Sequence, residues 1–227
     1  MDDRCFQDDT SFIKAIKKIQ TELLGWGKKN IRNYPWRNTY DPYKIIVAEI
    51  MLDRTGADQV KKVYTEFICK FPDFKSIVMS GQDKIKSELS SLGLVRRSSM
   101  LYLLALEVVD KYGGVLPANR NELMQLPGIG NYIASAVLCM VYNLPEPVLD
   151  TNTVRVIGRI FGIKITDSSR KSKKFQKIIR KLMECKEPRN FFLSIIDFAA
   201  LVCTAKDPEC FTCPVNDICC FKGSVWL

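Results

Sequence analysis

Four cysteines near the carboxyl end of the chain have a spacing that suits a metal centre. The pattern C-x6-C-x2-C-x5-C is formed by Cys203, Cys210, Cys213 and Cys219. Four thiolates within one short loop can surround a single centre. Zinc sites usually contain two close C-x2-C-like pairs, whereas only one close pair is present here, so the spacing favours a [4Fe–4S] cluster. A zinc site and plain buried thiols remain as alternatives.

One carboxylate, Asp150, stands between an apolar pair and a segment with helical periodicity. Val148 and Leu149 precede it, and the apolar residues Val154 and Ile157 follow at helical spacing. This position is typical of a helix N-cap. A capping carboxylate at the edge of a groove is also pre-oriented for chemistry, so Asp150 is a candidate functional residue in either interpretation.

A Leu-Pro-Gly-x-Gly motif at residues 126–130 lies between two helical stretches. Pro127 ends the first helix, and Gly128 and Gly130 permit a tight turn with positive φ and a close approach of the backbone. Amide groups at the turn and at the start of the next helix would form an anion site, for which a DNA phosphate is a natural occupant. The alternative is a simple connector between helices.

Composition narrows the available chemistry. The chain has 227 residues, of which 47% are hydrophobic and 26% charged, as expected for a globular protein of one or two small domains. It contains no histidine, which excludes a Ser-His-Asp triad and His-rich metal sites. With 34 basic and 25 acidic residues the net charge is +9, which favours nucleic acid as a partner.

The cellular location of the protein is predicted from the absence of a membrane-spanning stretch and of a signal-peptide pattern in the sequence. The longest apolar stretch, around residues 132–144, is shorter than the ~20 residues of a membrane span. The first residues show no signal-peptide pattern, and nine cysteines in such a chain indicate thiols or metal ligands rather than disulfides. We therefore expect a cytoplasmic, nucleoid-associated protein without a membrane partner.

The elements that must position these residues are predicted to be helices. Asp41 and Pro42 are typical of an N-cap and first helical residue, opening a helix through Met51. Apolar residues at helical spacing predict further helices, and no stretch shows the alternation of a strand, so the predicted fold class is all-α. The apolar positions are Ile13, Ile16, Leu23 and Leu24, then Leu101, Leu104, Ala105, Val108 and Tyr112 before Gly113, and finally Val154, Ile157 and Phe161 before Gly162.

Residues 164–181 form the most basic stretch of the chain. Eight lysines or arginines accompany the single acidic residue Asp167. A solvated helix face is one interpretation, and contact with phosphates is the other.

Taken in order, the hairpin at 126–130, Asp150 and the cysteine pattern resemble the helix-hairpin-helix DNA glycosylases of the endonuclease III and MutY superfamily. The resemblance covers residues 10–221, and residues 34–37, 41–43 and 48–52 are similar to the MutY branch in particular. It implies two helical lobes, with a helical barrel at 31–139 and a terminal lobe at 1–30 and 140–227 that bears the [4Fe–4S] cluster.

The resemblance also implies a way of binding and cleaving the substrate. Double-stranded DNA with a mismatch would lie across the cleft with the target nucleotide flipped out. Asp150 would stabilise the positive charge that develops at C1′ and help a water molecule attack. The DNA backbone would be held by the hairpin residues Pro127, Gly128, Ile129, Gly130 and Asn131.

Tyr132 distinguishes this chain from the strand-cleaving members of the superfamily. In those members a lysine at the matching position forms a Schiff base, so a tyrosine implies a monofunctional enzyme that leaves an abasic site. The sequence around Tyr132 is similar to the Mig-type thymine glycosylases, which act on T or U opposite G. A tyrosine of the hydrophobic core is the alternative interpretation.

Three further residues match positions of the family. Glu49 matches the acid that protonates the departing adenine in MutY-type enzymes, and in a thymine-acting relative it would polarise the base or order water. Arg54 matches a residue inserted near the orphaned base, where it could donate to guanine. Leu94 matches an apolar wedge, with core packing as the alternative. Asp53 departs from the family pattern.

The sequence thus predicts a monomeric, monofunctional DNA glycosylase that removes thymine or uracil mispaired with guanine. Removal of adenine from A:G or A:8-oxoG is the nearest alternative. The chain ends at Leu227, immediately after the cysteines, whereas MutY proteins continue into an 8-oxoguanine-recognising domain, so adenine is the less favoured substrate. A catalytically silent DNA-binding module and an electron-transfer protein are the alternatives of other classes.

Overall fold

The computed structural model describes residues 9–93 and 95–221 of the chain. This part contains α-helices and short 3-10 helices and no β-strand, so the predicted all-α fold class is confirmed. The α-helices are α1 Asp9–Asn30, α2 Pro42–Leu52, α3 Ala57–Lys70, α4 Phe74–Ser80, α5 Gln82–Glu88, α6 Val95–Tyr112, α7 Arg120–Gln125, α8 Asn131–Tyr142, α9 Thr151–Ile160, α10 Lys173–Met183 and α11 Pro188–Leu201. The 3-10 helices are Pro35–Arg37, Ser90–Leu92, Ser169–Lys171, Cys210–Thr212 and Asn216–Ile218.

The chain divides into two compact units. One comprises Asn33–Tyr142, and the other joins Met1–Arg32 to Asn143–Leu227. The sequence-based lobes have their boundaries at 30/31 and 139/140. We call the first the central unit and the second the terminal unit.

Helix α2 is the buried centre of the central unit. Nearly all its residues from Tyr43 to Met51 are buried, and it packs against α3, α6 and α8. The side chain of Asp41 accepts a hydrogen bond from the backbone N–H of Tyr43 at 2.9 Å, which confirms the predicted cap. The helix continues one residue beyond the predicted end and stops at Leu52.

Helix α6 packs against α4 and α5 in the same unit. Leu101, Leu104, Ala105 and Val108 are fully buried, as their spacing predicts. The helix ends at Tyr112, and Gly113 follows with a φ of 65°, a left-handed conformation that favours glycine.

The terminal unit is organised around the pairing of α1 with α11. Ile16 and Leu23 are buried there, whereas Ile13 is 52% exposed, so the predicted apolar face does not extend to the first turn. A Cβ at Gly27 would lie 1.9 Å from Ser194 Oγ, so only glycine allows the helices to approach this closely.

The remaining helices of the terminal unit, α9 and α10, pack against each other and against α11. Val154 and Ile157 are buried, and α9 ends at Ile160, with Gly162 in the left-handed region at φ 62°. Phe161, expected within the helix, is its C-cap. Within the described part of the chain, none of the helices combines the length and apolarity that crossing a membrane requires.

Candidate functional site

Asp150 is the N-cap of α9, and its carboxylate is fixed by three hydrogen bonds. Oδ1 accepts from the backbone N–H of Thr153 at 2.7 Å and from Thr153 Oγ1 at 3.0 Å. Oδ2 accepts from Asn152 Nδ2 at 2.7 Å. The Asp150 N–H donates to Thr153 Oγ1 at 2.8 Å, which completes a capping box. The carboxylate is half-buried, so it is oriented by its own helix while part of it reaches solvent.

A hydrogen-bonded chain connects Asp150 with the first cysteine of the metal-type pattern. Asn152, which donates to Asp150, accepts from Arg155 at 3.2 Å. Arg155 in turn donates to the backbone oxygens of Cys203 at 3.0 Å and Ala199 at 2.8 Å. The terminal unit therefore holds the candidate catalytic carboxylate and the cysteine segment in one network, which sequence reasoning missed.

All four cysteines of the pattern line one pocket in the terminal unit. Each is partly exposed, and the rest of the wall includes Arg159, Ile160, Phe198, Val202, Val215 and Phe221. Burial raises the pKa of the Cys213 thiol to about 11, and the thiols of Cys203, Cys210 and Cys219 act in the same direction. The four cysteines of the sequence pattern thus lie around one pocket of the structure.

Arg159 holds the loop that carries these cysteines. Its guanidinium donates to the backbone oxygens of Thr204 at 2.5 Å and Ala205 at 2.9 Å, and it lies 3.4 Å from Cys203 Sγ. In the described residues, no three His, Cys, Asp or Glu side chains converge at the spacing of ligands to one metal ion. The cluster therefore stays a prediction, made on a thiol-lined pocket.

The hairpin of the central unit joins α7 to α8 through a tight turn. Gly128 adopts a φ of 78°, and a Cβ there would lie 2.4 Å from Met100 Cγ, so both the conformation and the space require glycine. The backbone N–H of Ile129 donates to the oxygen of Leu126 at 3.2 Å, which closes the turn. Pro127 is partly exposed and Ile129 is buried.

Gly130 corrects one expectation about the hairpin. Its φ is not positive, and a Cβ built on it would meet no atom within 4 Å in the described part of the chain. The turn is closed one residue earlier, and the oxygen of Gly130 already accepts the first hydrogen bond of α8, from Ala134. The protein's own packing therefore gives no reason for glycine here.

Arg120 links the two helices of the hairpin and was not identified from the sequence. From the first position of α7 it donates to Asn131 Oδ1 at 3.0 Å and Ser135 Oγ at 2.8 Å, both on α8. The Asn131 side chain is thereby tied to the protein, while the residue remains exposed. A guanidinium that bridges two helices fixes the angle at which the hairpin is presented.

Tyr132 and Glu49 lie on two helices of the central unit that pack against each other. Tyr132 is the second residue of α8 and is half-buried. Glu49 is 7% exposed, near the end of the buried α2. A buried carboxylate is unusual because its desolvation is unfavourable, so its presence on α2 marks a functional candidate.

Arg54 lies in the turn between α2 and α3 and is exposed. Its φ of 60° is unusual for a residue other than glycine. Arg97 of α6 spans this turn, donating to the backbone oxygen of Met51 at 3.4 Å and to Thr55 Oγ1 at 3.3 Å. Burial lowers the pKa of Arg97. A second arginine therefore supports the turn from which Arg54 projects.

The candidate residues thus fall into two sets. The central unit holds the hairpin, Tyr132, Glu49 and Arg54, and the terminal unit holds Asp150 with the four cysteines. Leu94, the predicted wedge, lies outside the described residues. Arg155 and Arg159 could have been noticed as an i, i+4 pair after Asp150, whereas nothing local marks Arg97 or Arg120.

Comparison with known proteins agrees with this arrangement. The family model described as "HhH-GPD superfamily base excision DNA repair protein" matches residues 47–184. A thymine/uracil-DNA glycosylase of Methanothermobacter thermautotrophicus is 34% identical over 215 residues, covering 94% of this chain and 97% of the relative. A thymine-DNA glycosylase of Aeropyrum pernix is 36% identical over 221 residues, covering 92% and 96%.

A solved structure of a thymine-DNA glycosylase has a fold similar to that of this chain. The structure of a thermostable thymine-DNA glycosylase superposes with a TM-score of 0.87 at 33% sequence identity, covering 95% of this chain and 99% of that one. Because the family model matches more than half of the chain and the relatives match nearly all of it, this protein belongs to the HhH-GPD superfamily of base excision DNA repair proteins.

Proposed function

We propose that the protein is a monofunctional DNA glycosylase that removes thymine or uracil mispaired with guanine and leaves an abasic site. The observation that carries this proposal is the full-length similarity to proteins named thymine-DNA and thymine/uracil-DNA glycosylases. The tyrosine at position 132 supports the monofunctional assignment, because a tyrosine cannot form the Schiff base that strand cleavage by a lysine requires.

Asp150 is the proposed catalytic carboxylate. As the N-glycosidic bond breaks, its electron pair leaves with the base and positive charge develops at C1′ of the sugar. A fixed carboxylate beside that carbon stabilises the charge without having to reorganise, and it can accept a proton from the water whose oxygen bonds to C1′. The three hydrogen bonds to Asp150 supply that fixed orientation.

Glu49 and the exposed residues of the central unit are proposed to act on the base and on the duplex. Glu49 polarises the departing pyrimidine or orders water near it, since it is a buried carboxylate near the end of α2. Residues 127–131 bind the phosphate backbone, Arg54 recognises the guanine left behind, and Leu94 is the wedge. In this proposal the enzyme acts as a monomer on chromosomal DNA in the cytoplasm.

The duplex contact of Arg54 depends on Arg97, and this gives a testable prediction. The guanidinium of Arg97 donates hydrogen bonds to both Met51 and Thr55. In Arg97→Lys at least one of them is lost, because a lysine ammonium cannot reach both acceptors in this geometry. We expect T:G duplex binding to weaken about tenfold, corresponding to about 1.4 kcal/mol for the loss of one of two hydrogen bonds from a charged donor. Equilibrium titration of a labelled T:G duplex measures the effect.

The neighbouring exposed Arg96 provides the matched control for this prediction. Arg96→Lys should leave T:G affinity within about twofold of the wild type, because surface substitutions away from specific contacts have small effects. Because both substitutions keep the positive charge, equal weakening by the two would show that the hydrogen bonds of Arg97 to the turn are not what the duplex contact depends on.

The cofactor proposed for the terminal unit is a [4Fe–4S] cluster held by Cys203, Cys210, Cys213 and Cys219. The donor set fits, because four soft thiol ligands line a single pocket whose other walls are largely apolar. When bound, such a cluster cross-links the loop and can exchange electrons. Through Arg155 and Arg159 the protein itself ties this loop to α9, the helix that Asp150 caps.

Cys213→Ser is expected to abolish the visible absorption of the cluster and its acid-labile sulfide. The thiol of Cys213 is one of four ligands, and a hydroxyl is a poor replacement for a thiolate. Cys69→Ser, at an exposed free thiol of the central unit, should leave the spectrum unchanged. Wild-type protein that carries stoichiometric zinc and no iron would contradict the cluster assignment.

The proposed activity is tested on four duplexes that contain T:G, U:G, A:G or A:8-oxoG, each assayed with and without alkali. We expect release of T and U opposite G, with strands that break only after alkali treatment. Release of adenine alone would assign the protein to the adenine branch and make Glu49 the decisive acid. Binding without any excision would support a silent DNA-binding module.

A further inference from the structure

Helix α10 carries a stripe of basic side chains on its solvent side. We define the α10 basic face as Lys173, Lys174, Lys177, Arg180 and Lys181, all of which are exposed. At 100° per residue they fall within about 120° of the helix circumference. The opposite side is apolar and buried, through Phe175, Ile178, Ile179, Leu182 and Met183.

Three of the five cations of this face lack a carboxylate partner among the described residues, whereas Lys181 pairs with Glu184 at 2.7 Å. Some lysines of other helices pair with carboxylates three or four residues away, as in Lys84 with Glu88 at 2.8 Å and Lys111 with Glu107 at 2.5 Å. Among the described residues, no carboxylate lies within ion-pair distance of Lys173, Lys177 or Arg180. The helix contains no acidic residue at all.

Two of these charges are unfavourably placed for the helix itself. Lys173 and Lys174 occupy the first turn of α10, where the positive end of the helix dipole repels cations and acidic residues are normally preferred. A bound anion would relieve this repulsion. Lys173 and Lys174 therefore do not stabilise the helix end at which they lie, unlike Arg180 and Lys181 in the last turn.

The α10 basic face is also held in a fixed position. Gln20 of α1 donates to the backbone oxygens of Lys181 at 3.1 Å and Leu182 at 3.0 Å, which ties the last turn to the core of the terminal unit. Gln176 donates to the oxygen of Arg170 at 3.1 Å, which fixes the corner before the helix. The charges are thus displayed on a rigid support.

We propose that the α10 basic face is a second, sequence-independent binding surface for the phosphate backbone of duplex DNA, separate from the hairpin. Residues 173–181 span about 12 Å at 1.5 Å per residue, a length over which B-DNA presents about seven phosphate charges at one per ~1.7 Å. The inference rests on the proposed function for the identity of the polyanion. Its role is to retain the enzyme on undamaged DNA between lesions.

The test uses the full chain with Lys173→Gln, Lys177→Gln and Arg180→Gln combined, because glutamine keeps helix propensity and removes charge. Affinity for an undamaged 30-base-pair duplex is measured from low to high salt. We expect weaker binding and a slope of log K against log salt that is shallower by up to about 2.7, at about 0.9 for each phosphate that the variant no longer neutralises. Single-turnover excision from T:G at saturating enzyme should be unchanged.

The matched control combines Lys84→Gln, Lys86→Gln and Lys111→Gln, which removes the same charge from lysines already paired with carboxylates. An equal change of slope in both triple variants would overturn the proposal in favour of net charge. An unchanged slope in the α10 variant would also overturn it. So would an α10 variant that binds DNA like the wild type but no longer binds phosphatidylserine vesicles, because the face would then bind membranes. If the wild type binds undamaged DNA with the expected salt dependence but excises no base, the proposed function is refuted and the binding surface on α10 is not.

Discussion

Asp150→Asn is expected to lower the single-turnover rate of thymine excision from T:G by about 100- to 1,000-fold, the range found when one preorganised electrostatic group is removed from a transition state. An amide keeps the shape of the side chain and caps a helix as well as a carboxylate does. It carries no negative charge to stabilise the sugar cation. Excision should therefore fall while mismatch affinity and thermal stability stay close to those of the wild type.

The chain offers a matched control at Asp73. This residue caps α4 in the same kind of capping box, accepting from the backbone N–H of Ser76 at 2.8 Å, and no role in the chemistry is proposed for it. Asp73→Asn should leave the excision rate unchanged. If Asp150→Asn retains full excision, the carboxylate is a helix cap and the catalytic group lies elsewhere.

Tyr132→Lys is expected to convert the protein into an enzyme that cleaves the strand without alkali. A lysine at the second residue of α8, directly after the hairpin, would attack C1′ as the bond to the base breaks. Opening of the sugar ring then gives a Schiff base, and β-elimination breaks the bond between C3′ and its phosphate oxygen. Borohydride should trap a covalent protein–DNA adduct that is undetectable with the wild type. Denaturing gel electrophoresis of the trapped complex measures the change.

Tyr142→Lys is the control, because it makes the same substitution at the other end of α8, about 15 Å away along the axis. It should give no adduct. Absence of an adduct from a folded Tyr132→Lys variant that still excises thymine would show that position 132 lies beyond reach of the sugar. In that case the monofunctional assignment would need another basis.

Local signals in the sequence determined the helices and the chemical types at the candidate site. The Asp41-Pro42 cap, Gly113 after α6 and the buried spacing of residues 101–108 are all interactions between near neighbours in the chain, so their pattern can be read directly. The cysteine spacing is local in the same sense. The roles of the site residues themselves stay predictions, because they depend on how each side chain meets the DNA.

Tertiary structure decided how these residues are supported. Arg155 reaches Cys203 across 48 residues of sequence, and Arg97 reaches Met51 across 46, contacts that leave no periodic or spacing signal in the chain. Packing also decided that Gly128 is required by Met100, whereas a Cβ at Gly130 would contact none of the residues that the structure describes. Residues of the same type, such as these arginines and glycines, therefore differ in role, because the fold determines which distant residues each of them contacts.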